Sequence, residues 1–343
     1  ALCKAAGTLP PRYGGCFVGK RGPRLERFGG SGDFDMRSKL AECGHFWQRV
    51  LRSYGWPNLA VAVVYVLLLQ YKNIGWNALY FTRQFCVLGF FTLGAGWIAL
   101  SDGIDLCFMA QAALSTVLAA SAYHWGLPIV VIVAVVVLFN VAVGAARGWL
   151  IEKLQVPAII FTLALATIFS NLGAPDQFLI MGIRTYRYYT PFTLAMLAVL
   201  LLCAAGVQFY LHRTWWGKYA LAMRENIGAV RACGVNTRSL SSIVYGGASL
   251  LFAFGTLMML FVAPYGSSSR DSSYLYQVLA AVGLGGGFSH RRKSREMAGL
   301  LAGAVSMTMI EQLLQYLGLG HYRLIVEGAV ILVAFFTQID EKK

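Results

Sequence analysis

Side chains able to do acid–base or nucleophilic chemistry are thinly spread along this chain. The histidines His45, His124, His212, His290 and His321 fall in loops and near the ends of apolar runs. No Ser-His-Asp or paired-carboxylate set can be assembled around them. The cysteines Cys3, Cys16, Cys43, Cys86, Cys107, Cys203 and Cys233 contain no C-x-x-C pair, which argues against a zinc site or a disulfide framework. The glycine-rich piece Gly15–Gly22 fails as a phosphate loop, because Arg21 stands where Ser or Thr should hold magnesium. No enzyme activity, metal or cofactor is therefore expected. What remains is a few ionisable groups inside apolar runs: Arg83, Glu311 and Glu327. Such groups are costly in hydrocarbon, so each is a candidate for a transport pathway. Glu311 can face the interior of a bundle, whereas Glu327 lies about a turn from the end of its run, where water could reach it. Asp105, in the loop SDGIDL (Ser101–Leu106), stands just before an apolar run and can cap its free amides, with Gly103 permitting a tight turn.

The elements that must position these groups are membrane-length helices. The chain has 343 residues, 57% hydrophobic and only 13% charged, too apolar for an ordinary soluble domain. Ten apolar runs are legible, at 57–71, 79–100, 106–124, 128–149, 157–172, 191–211, 240–262, 274–288, 297–317 and 322–338. Most have the length a helix needs to cross hydrocarbon. The third, fifth and eighth are short or glycine-broken and are expected to enter without a full straight span. The fold class predicted is all-α: a polytopic bundle of about ten transmembrane helices, some of them broken. Gly299 and Gly303 have the spacing of a close helix–helix contact. Trp and Tyr near the run ends suit the membrane interface.

The net charge of +14 raises the question of nucleic acid. Its distribution answers it: most cations fall in alternate inter-run segments, as membrane orientation requires. Anionic lipid head groups are the expected partner, and no soluble basic face exists for nucleic acid. Arg147 and Lys153 mark the inner end of the fourth run, and Arg291, Arg292, Lys293 and Arg295 hold a later loop inside. Lys72, Arg184, Arg187, Arg270 and Arg323 fall outside, and both termini are predicted to be cytoplasmic. Residues 1–35 read as a disordered basic extension without a signal-peptide core. Residues 36–56 read as an interfacial amphipathic segment. Residues 57–343 read as the transmembrane domain, with a polar loop at 212–239.

That loop is the most informative stretch. It carries Arg213, Lys218, Arg224, Arg231 and Arg238 against the single acid Glu225. Met223, Ile227 and Val230 recur at i, i+4, i+7, so a short helix over Arg224–Cys233 would present one apolar face. Gly228 weakens that helix and Gly234 can end it. The plain reading is a solvated loop obeying the charge rule. The sharper one is a docking helix whose apolar face enters a groove on a cytoplasmic partner.

The stretch resembles the cytoplasmic coupling loop of permease subunits of bacterial ABC importers for monosaccharides, the ribose-type branch. That family carries T-x-L-G-x-Y and then G-x-N-x-x-A-x-R-x-S-G-I-x. The matches here are Thr214, Gly217, Tyr219, Asn226, Ala229, Arg231, Gly234 and, conservatively, Val235. Ile227 stands where the family has an acid, and Cys233 where it has serine. The family's GIDLS is kept at Gly103, Ile104, Asp105 and Leu106, followed by Cys107 and Phe108 instead of small residues. Its Y-E-L-D-A-I-A-A-V-V-L-G-G is matched at Tyr274, Ala280, Ala281, Val282, Leu284, Gly285 and Gly286, with Leu275 and Gln277 in place of the two acids. The resemblance runs from Trp56 to Ile339.

It implies a sugar-importing subunit in a bacterial inner membrane, with an inverted repeat of runs 2–5 and 7–10. Its partners would be cytoplasmic ABC ATPase subunits, a periplasmic sugar-binding protein and a second permease subunit, identical or not. Gly217, Arg224, Asn226, Ile227, Ala229, Val230, Arg231 and Gly234 would serve ATPase coupling. Gly103, Asp105, Tyr274, Gln277 and Glu311 would line the translocation pathway. The alternatives are an ion-gradient-driven secondary transporter of a small polar solute, and a channel or structural membrane protein.

Overall fold

Proline and glycine punctuate the helices much as the apolar runs demand. Pro57 and Pro191 sit in the first turns of their helices, and Pro128 and Pro157 immediately precede two others, where a missing N–H costs nothing. A computed structural model describes residues 56–72, 78–101, 103–172, 178–179, 189–262, 265–266, 273–288 and 296–339. They all lie in one unit, Gln48–Lys343. The segments read as a basic extension and an amphipathic entry, and the glycine-rich piece Gly15–Gly22, fall outside the described residues. So does the basic loop at 291–295.

The helices in chain order are α1 (Trp56–Lys72), α2 (Ala78–Ala99), α3 (Phe108–His124), α4 (Ile129–Leu154), α5 (Ala158–Leu172), α6 (Tyr189–Arg213), α7 (Trp215–Ala232), α8 (Thr237–Val262), α9 (Ser273–Leu284), α10 (Glu296–Tyr316) and α11 (Arg323–Ile339). Each apolar run has become a helix, and the polar loop has become α7. Two two-residue strands, β1 (Phe178–Leu179) and β2 (Tyr265–Gly266), pair antiparallel with Phe178 opposite Gly266 and Leu179 opposite Tyr265. They are the one departure from an all-α chain among the described residues.

Helix α2 is the axis of the bundle. Every residue from Phe85 to Ile98 is buried, as expected of a helix that is apolar all round. It packs against α8, α10, α6 and α9, and α8 in turn packs against α4 and α3. Phe91, Phe108 and Phe252 form a three-ring cluster with centroids 5.2–6.0 Å apart. Phe108, bulky where the resembling family is small, thus fills the centre between α2 and α8.

Backbones approach closely where glycines recur four apart. A Cβ at Gly148 of α4 would stand 2.5 Å from the Ser241 carbonyl of α8, and one at Gly144 would collide with the Ser249 hydroxyl. On the other side, Gly299 and Gly303 of α10 lie against the backbone of Gly285 and Ala281. The close contact expected of this pair is present, in the manner of small-xxx-small packing. Gly303→Leu has no room to relax and is expected to cost about 1–3 kcal/mol or more. A lowered melting temperature in detergent would register that cost, and an unchanged one would contradict the contact.

The outer faces are greasy. Val66, Val130, Leu138, Ile160, Leu163, Leu202, Phe209, Ile325 and Leu332 are all exposed. Among the described residues, four helices are long and apolar enough to cross a membrane, spanning Ile129–Leu154, Thr190–Arg213, Thr237–Val262 and Glu296–Tyr316, and three shorter apolar helices accompany them. An exposed apolar belt around a bundle of this kind is a lipid-facing surface, so the chain is a multi-pass membrane protein.

Candidate functional site

Helix α7 is built by caps rather than by hydrophobic periodicity. The Thr214 hydroxyl accepts from the Gly217 N–H at 3.0 Å and opens the helix. Gly217 is so close to the backbone of Tyr210 and Leu211 that no side chain fits there. At Asn226 the backbone becomes extended (φ −162°, ψ 99°) and breaks the helix. The Asn226 Oδ1 then accepts from the Ala229 N–H at 3.0 Å and starts a second, shorter piece. Gly234, at φ +77°, ends it, with its N–H donating to the Arg231 carbonyl. The Asn236 side chain accepts from the N–H of Arg238 at 3.2 Å and begins α8.

The break at Asn226 corrects the expectation of one continuous helix over Arg224–Cys233. The orientation corrects a second. Met223 and Val230 are 5% and 4% exposed, and Ile227 packs on the same core. The apolar face is turned into the protein's own body, because the neighbouring helices offer it a dry surface. Outward lie Glu225, Asn226, Gly228, Ala229, Arg231, Ala232, Cys233 and Gly234. The short second piece is also tied to the bundle. Arg231 Nη2 pairs with Glu152 Oε2 of α4 at 3.0 Å, and its Nε donates to the Thr237 hydroxyl at 3.4 Å. Arg224 lines a cavity of about 340 Å³ together with Gly103, Ile104, Ala158, Ile159 and Phe288.

The loop between α2 and α3 forms the inner wall of that cavity and the edge of a polar knot. Gly103 lies against the Tyr245 hydroxyl, where a Cβ would come within 2.6 Å. Asp105 Oδ1 accepts from the Cys107 N–H at 2.8 Å, so it caps the approach to α3 as expected. Its Oδ2 pairs with Arg147 Nη2 at 2.7 Å, and both side chains are fully buried. Arg147 Nη1 donates to Gln111 Oε1 at 2.8 Å, and Nη2 to the Ser249 hydroxyl at 3.4 Å. The guanidinium also stands 5.6 Å from the Tyr245 ring centroid. Gln111 passes the chain on, donating to the Asn140 carbonyl at 2.9 Å and to its side-chain oxygen at 3.0 Å. Thr162 of α5 braces the loop by accepting from the Leu106 N–H at 3.2 Å. A buried pair survives only with good geometry and further hydrogen bonds, and this one has both.

Arg147 was read as marking the inner end of its run together with Lys153. It is instead inside the bundle, because Gly144 and Gly148 bring α4 so close to α8 that its face between them is sealed. The sequence signal was available: an arginine inside a glycine pair spaced for close packing.

A second ionic cluster joins α9, α10 and α11. Arg323, expected in an outer loop, is the first residue of α11 and pairs with Glu311 at 3.3 Å and Glu327 at 3.0 Å. Its guanidinium lies 5.7 Å from the Tyr274 ring centroid. The Glu327 side chain is fully buried, so the alternative of a solvated Glu327 is not what the fold adopts. Glu311 faces this cluster with 13% exposure. Gln277, one turn from Tyr274 on α9, is fully buried, and neither its amide nitrogen nor its oxygen has a partner. Nearer α1, the Tyr65 hydroxyl donates to Gln312 Oε1 at 2.6 Å.

Apart from the coupling candidates along α7 itself, the candidate residues fall in three places. Gly103 and Arg224 share a cavity, Asp105 is held by Arg147, and Tyr274 meets Glu311 through Arg323. Asp105 and Glu311 answer to different arginines.

Residues 77–335 match the family described as branched-chain amino acid transport system, permease component. The ribose import permease protein RbsC of Escherichia coli strain K12 is 28% identical over 300 residues, covering 82% of this chain and 91% of the relative. The RbsC of Bacillus subtilis is 28% identical over 277 residues, covering 78% and 85%. The galactose/methyl galactoside import permease protein MglC of Escherichia coli strain K12 is 25% identical over 270 residues, covering 71% and 80%. No solved structure matches the chain. The capped polar helix between two long apolar ones, the greasy exterior and the match over most of the length converge: this chain belongs to the family of branched-chain amino acid transport system permease components.

Proposed function

We propose that the chain is the membrane-spanning permease subunit of an ATP-driven importer of a small sugar in a bacterial inner membrane. It works with cytoplasmic ABC ATPases, a second permease subunit and a periplasmic sugar-binding protein. One observation carries this reading: α7 is a short, polar, doubly capped helix whose outer side is exposed and whose second piece is tied to the bundle by Arg231 and Glu152. A helix that is both accessible and anchored can transmit force. Gly217 sets its base against α6, Asn226 and Gly234 set the limits of its second piece, and Ile227 and Val230 seat it on the body. Ala229, with Arg231, belongs to the side a partner would meet, and Arg224 joins α7 to the α2–α3 loop through their shared cavity. Movement of α7 would then reach Gly103 and Ile104 directly, and Asp105 through the same loop.

The reading includes ten crossings, both termini in the cytoplasm, and an inverted repeat of α2–α5 and α8–α11. Packing supports the repeat, since exchanging the two halves preserves the contacts. Helix α4 lies on α8 as α10 lies on α2; α3 lies on α8 as α9 lies on α2; and α3 meets α5 as α9 meets α11. The solute route runs between the halves, past Gly103, Asp105, Tyr274, Gln277 and Glu311.

Reconstitution in vesicles with the ATPase and the binding protein is expected to give ATP-dependent uptake of ribose or galactose without an ion gradient. Uptake that ignores ATP and collapses with an uncoupler would overturn the reading in favour of a secondary transporter working through Glu311 and Glu327.

A further inference from the structure

The polar groups inside the bundle are of two kinds. Around Asp105 each side chain is engaged: Asp105, Gln111, Asn140, Arg147 and Ser249 bond or ion-pair with one another or with nearby backbone, and only single atoms such as Arg147 Nε are left without a hydrogen bond. A solute hydroxyl arriving there would have to displace an ion pair. Along α2, α9 and α10, which pack on one another, capacity is left over. Gln277 is fully buried with both amide atoms unpartnered, and Gln312 has a spare Nε2. Thr92 is fully buried with an unpartnered hydroxyl, whereas Thr256 and Thr308 on neighbouring helices bond back to the carbonyl four residues earlier, at 2.9 Å and 2.8 Å.

A buried amide without partners is unfavourable, and a protein can retain one where another conformation supplies the missing bonds. From this contrast we infer that Gln277 receives a hydroxyl group of a neutral, polyhydroxylated solute, and that Asp105 does not. The inference rests on the importer reading and gives one of its pathway residues a chemical task. A carboxamide both donates and accepts, and so does an alcohol. A neutral amide also makes this contact without burying a charge in the bundle. Gln277 is enclosed in the present conformation. The contact therefore forms in one where α9 has shifted against α2 or α10, at the glycine seam of Gly285, Gly299 and Gly303.

Gln277→Leu and Gln277→Met separate this role from mere packing. Each removes the unsatisfied amide at similar volume, so each is expected to keep or raise the melting temperature of the purified subunit. A fall in both would mean that the amide has a structural partner, and would overturn the proposal. In vesicles carrying the full transporter, uptake of ribose is compared with that of its 2-deoxy and 3-deoxy analogues, and of galactose with its 2-deoxy analogue. Selection by the binding protein is common to all variants and cancels in the comparison. For the analogue lacking the relevant hydroxyl, the wild-type preference for the parent sugar is expected to fall about tenfold in both variants. An unchanged preference for every analogue, with wild-type sugar uptake intact, overturns the assignment while leaving the importer reading standing. No uptake of either sugar by the wild type removes the importer reading, and the assignment with it.

Discussion

Arg147→Met is expected to destabilise the folded subunit by about 3–5 kcal/mol, the largest single effect in the bundle, because it strands a buried carboxylate. Asp105 would keep its backbone bonds from Cys107 and Phe108 and lose the guanidinium that neutralises it. Gln111 would lose the donor to its side-chain oxygen in the same step. Asp105→Asn should cost a similar amount for the mirror reason, leaving a cation sealed between α4 and α8. The double variant removes both charges and is expected to recover most of the loss, since replacing a buried pair is far milder than breaking it. Thermal or dodecyl-sulfate unfolding of the four proteins in micelles measures the cycle. Simple additivity of the two single effects would mean that the pair is not an energetic unit. The same proteins also bear on transport. If the double variant folds and still carries sugar with unaltered selectivity, Asp105 positions the α2–α3 loop. If it folds but transports nothing, Asp105 meets the solute.

Arg231→Glu should separate ATP hydrolysis from uptake. The substitution sets a carboxylate against Glu152, turning an attraction across 3.0 Å into a repulsion. Arg231 is 41% exposed, so screening limits the direct cost to the fold, and the spans should remain intact. Beyond this pair, the short piece of α7 after Asn226 is held by Ile227 and Val230 on the core and by the Thr237 hydroxyl, while its outer side is exposed. Uptake per ATP hydrolysed is expected to fall about fivefold to tenfold, more at low salt than at high. Exchanging the charges, Arg231→Glu with Glu152→Arg, should restore most of it. Coupled uptake at wild-type efficiency in the single variant would refute the role, and failure of the exchange would mean that Arg231 acts on the partner rather than on α4.

Much of the architecture is legible in one dimension. Helices α1–α6 and α8–α11 coincide with the apolar runs to within a few residues, because away from water an apolar run must satisfy its backbone polar groups internally, as a helix does. Caps are equally local, so Gly234 as a terminator and Asp105 as a cap could be read from neighbours alone. The family resemblance, carried by Asn226, Arg231, Gly234 and Gly103–Leu106, led to the family that the chain belongs to. What periodicity misjudged was direction. The i, i+4, i+7 pattern of Met223, Ile227 and Val230 identifies an apolar face without saying whether a partner or the chain's own core covers it. Asn226 was visible as a matching residue and not as a helix break, since its extended backbone is stabilised by a turn that only the folded path supplies.

Charge placement was the harder question. Hydropathy ranks Arg147 and Arg323 as residues of helix ends, and a helix end is usually wet. Whether it is wet here depends on how near the next helix comes, and that distance is a property of two segments far apart in the chain. Composition and order alone dictated a membrane bundle, its helix boundaries and a polar element between two long spans, for those depend on transfer from water and on bonds between near neighbours. Only the packed bundle decided that Asp105 finds Arg147, that Glu311 and Glu327 share Arg323, and that Gln277 is left unbonded, because each outcome is set by glycine-lined approaches between helices that no local pattern encodes.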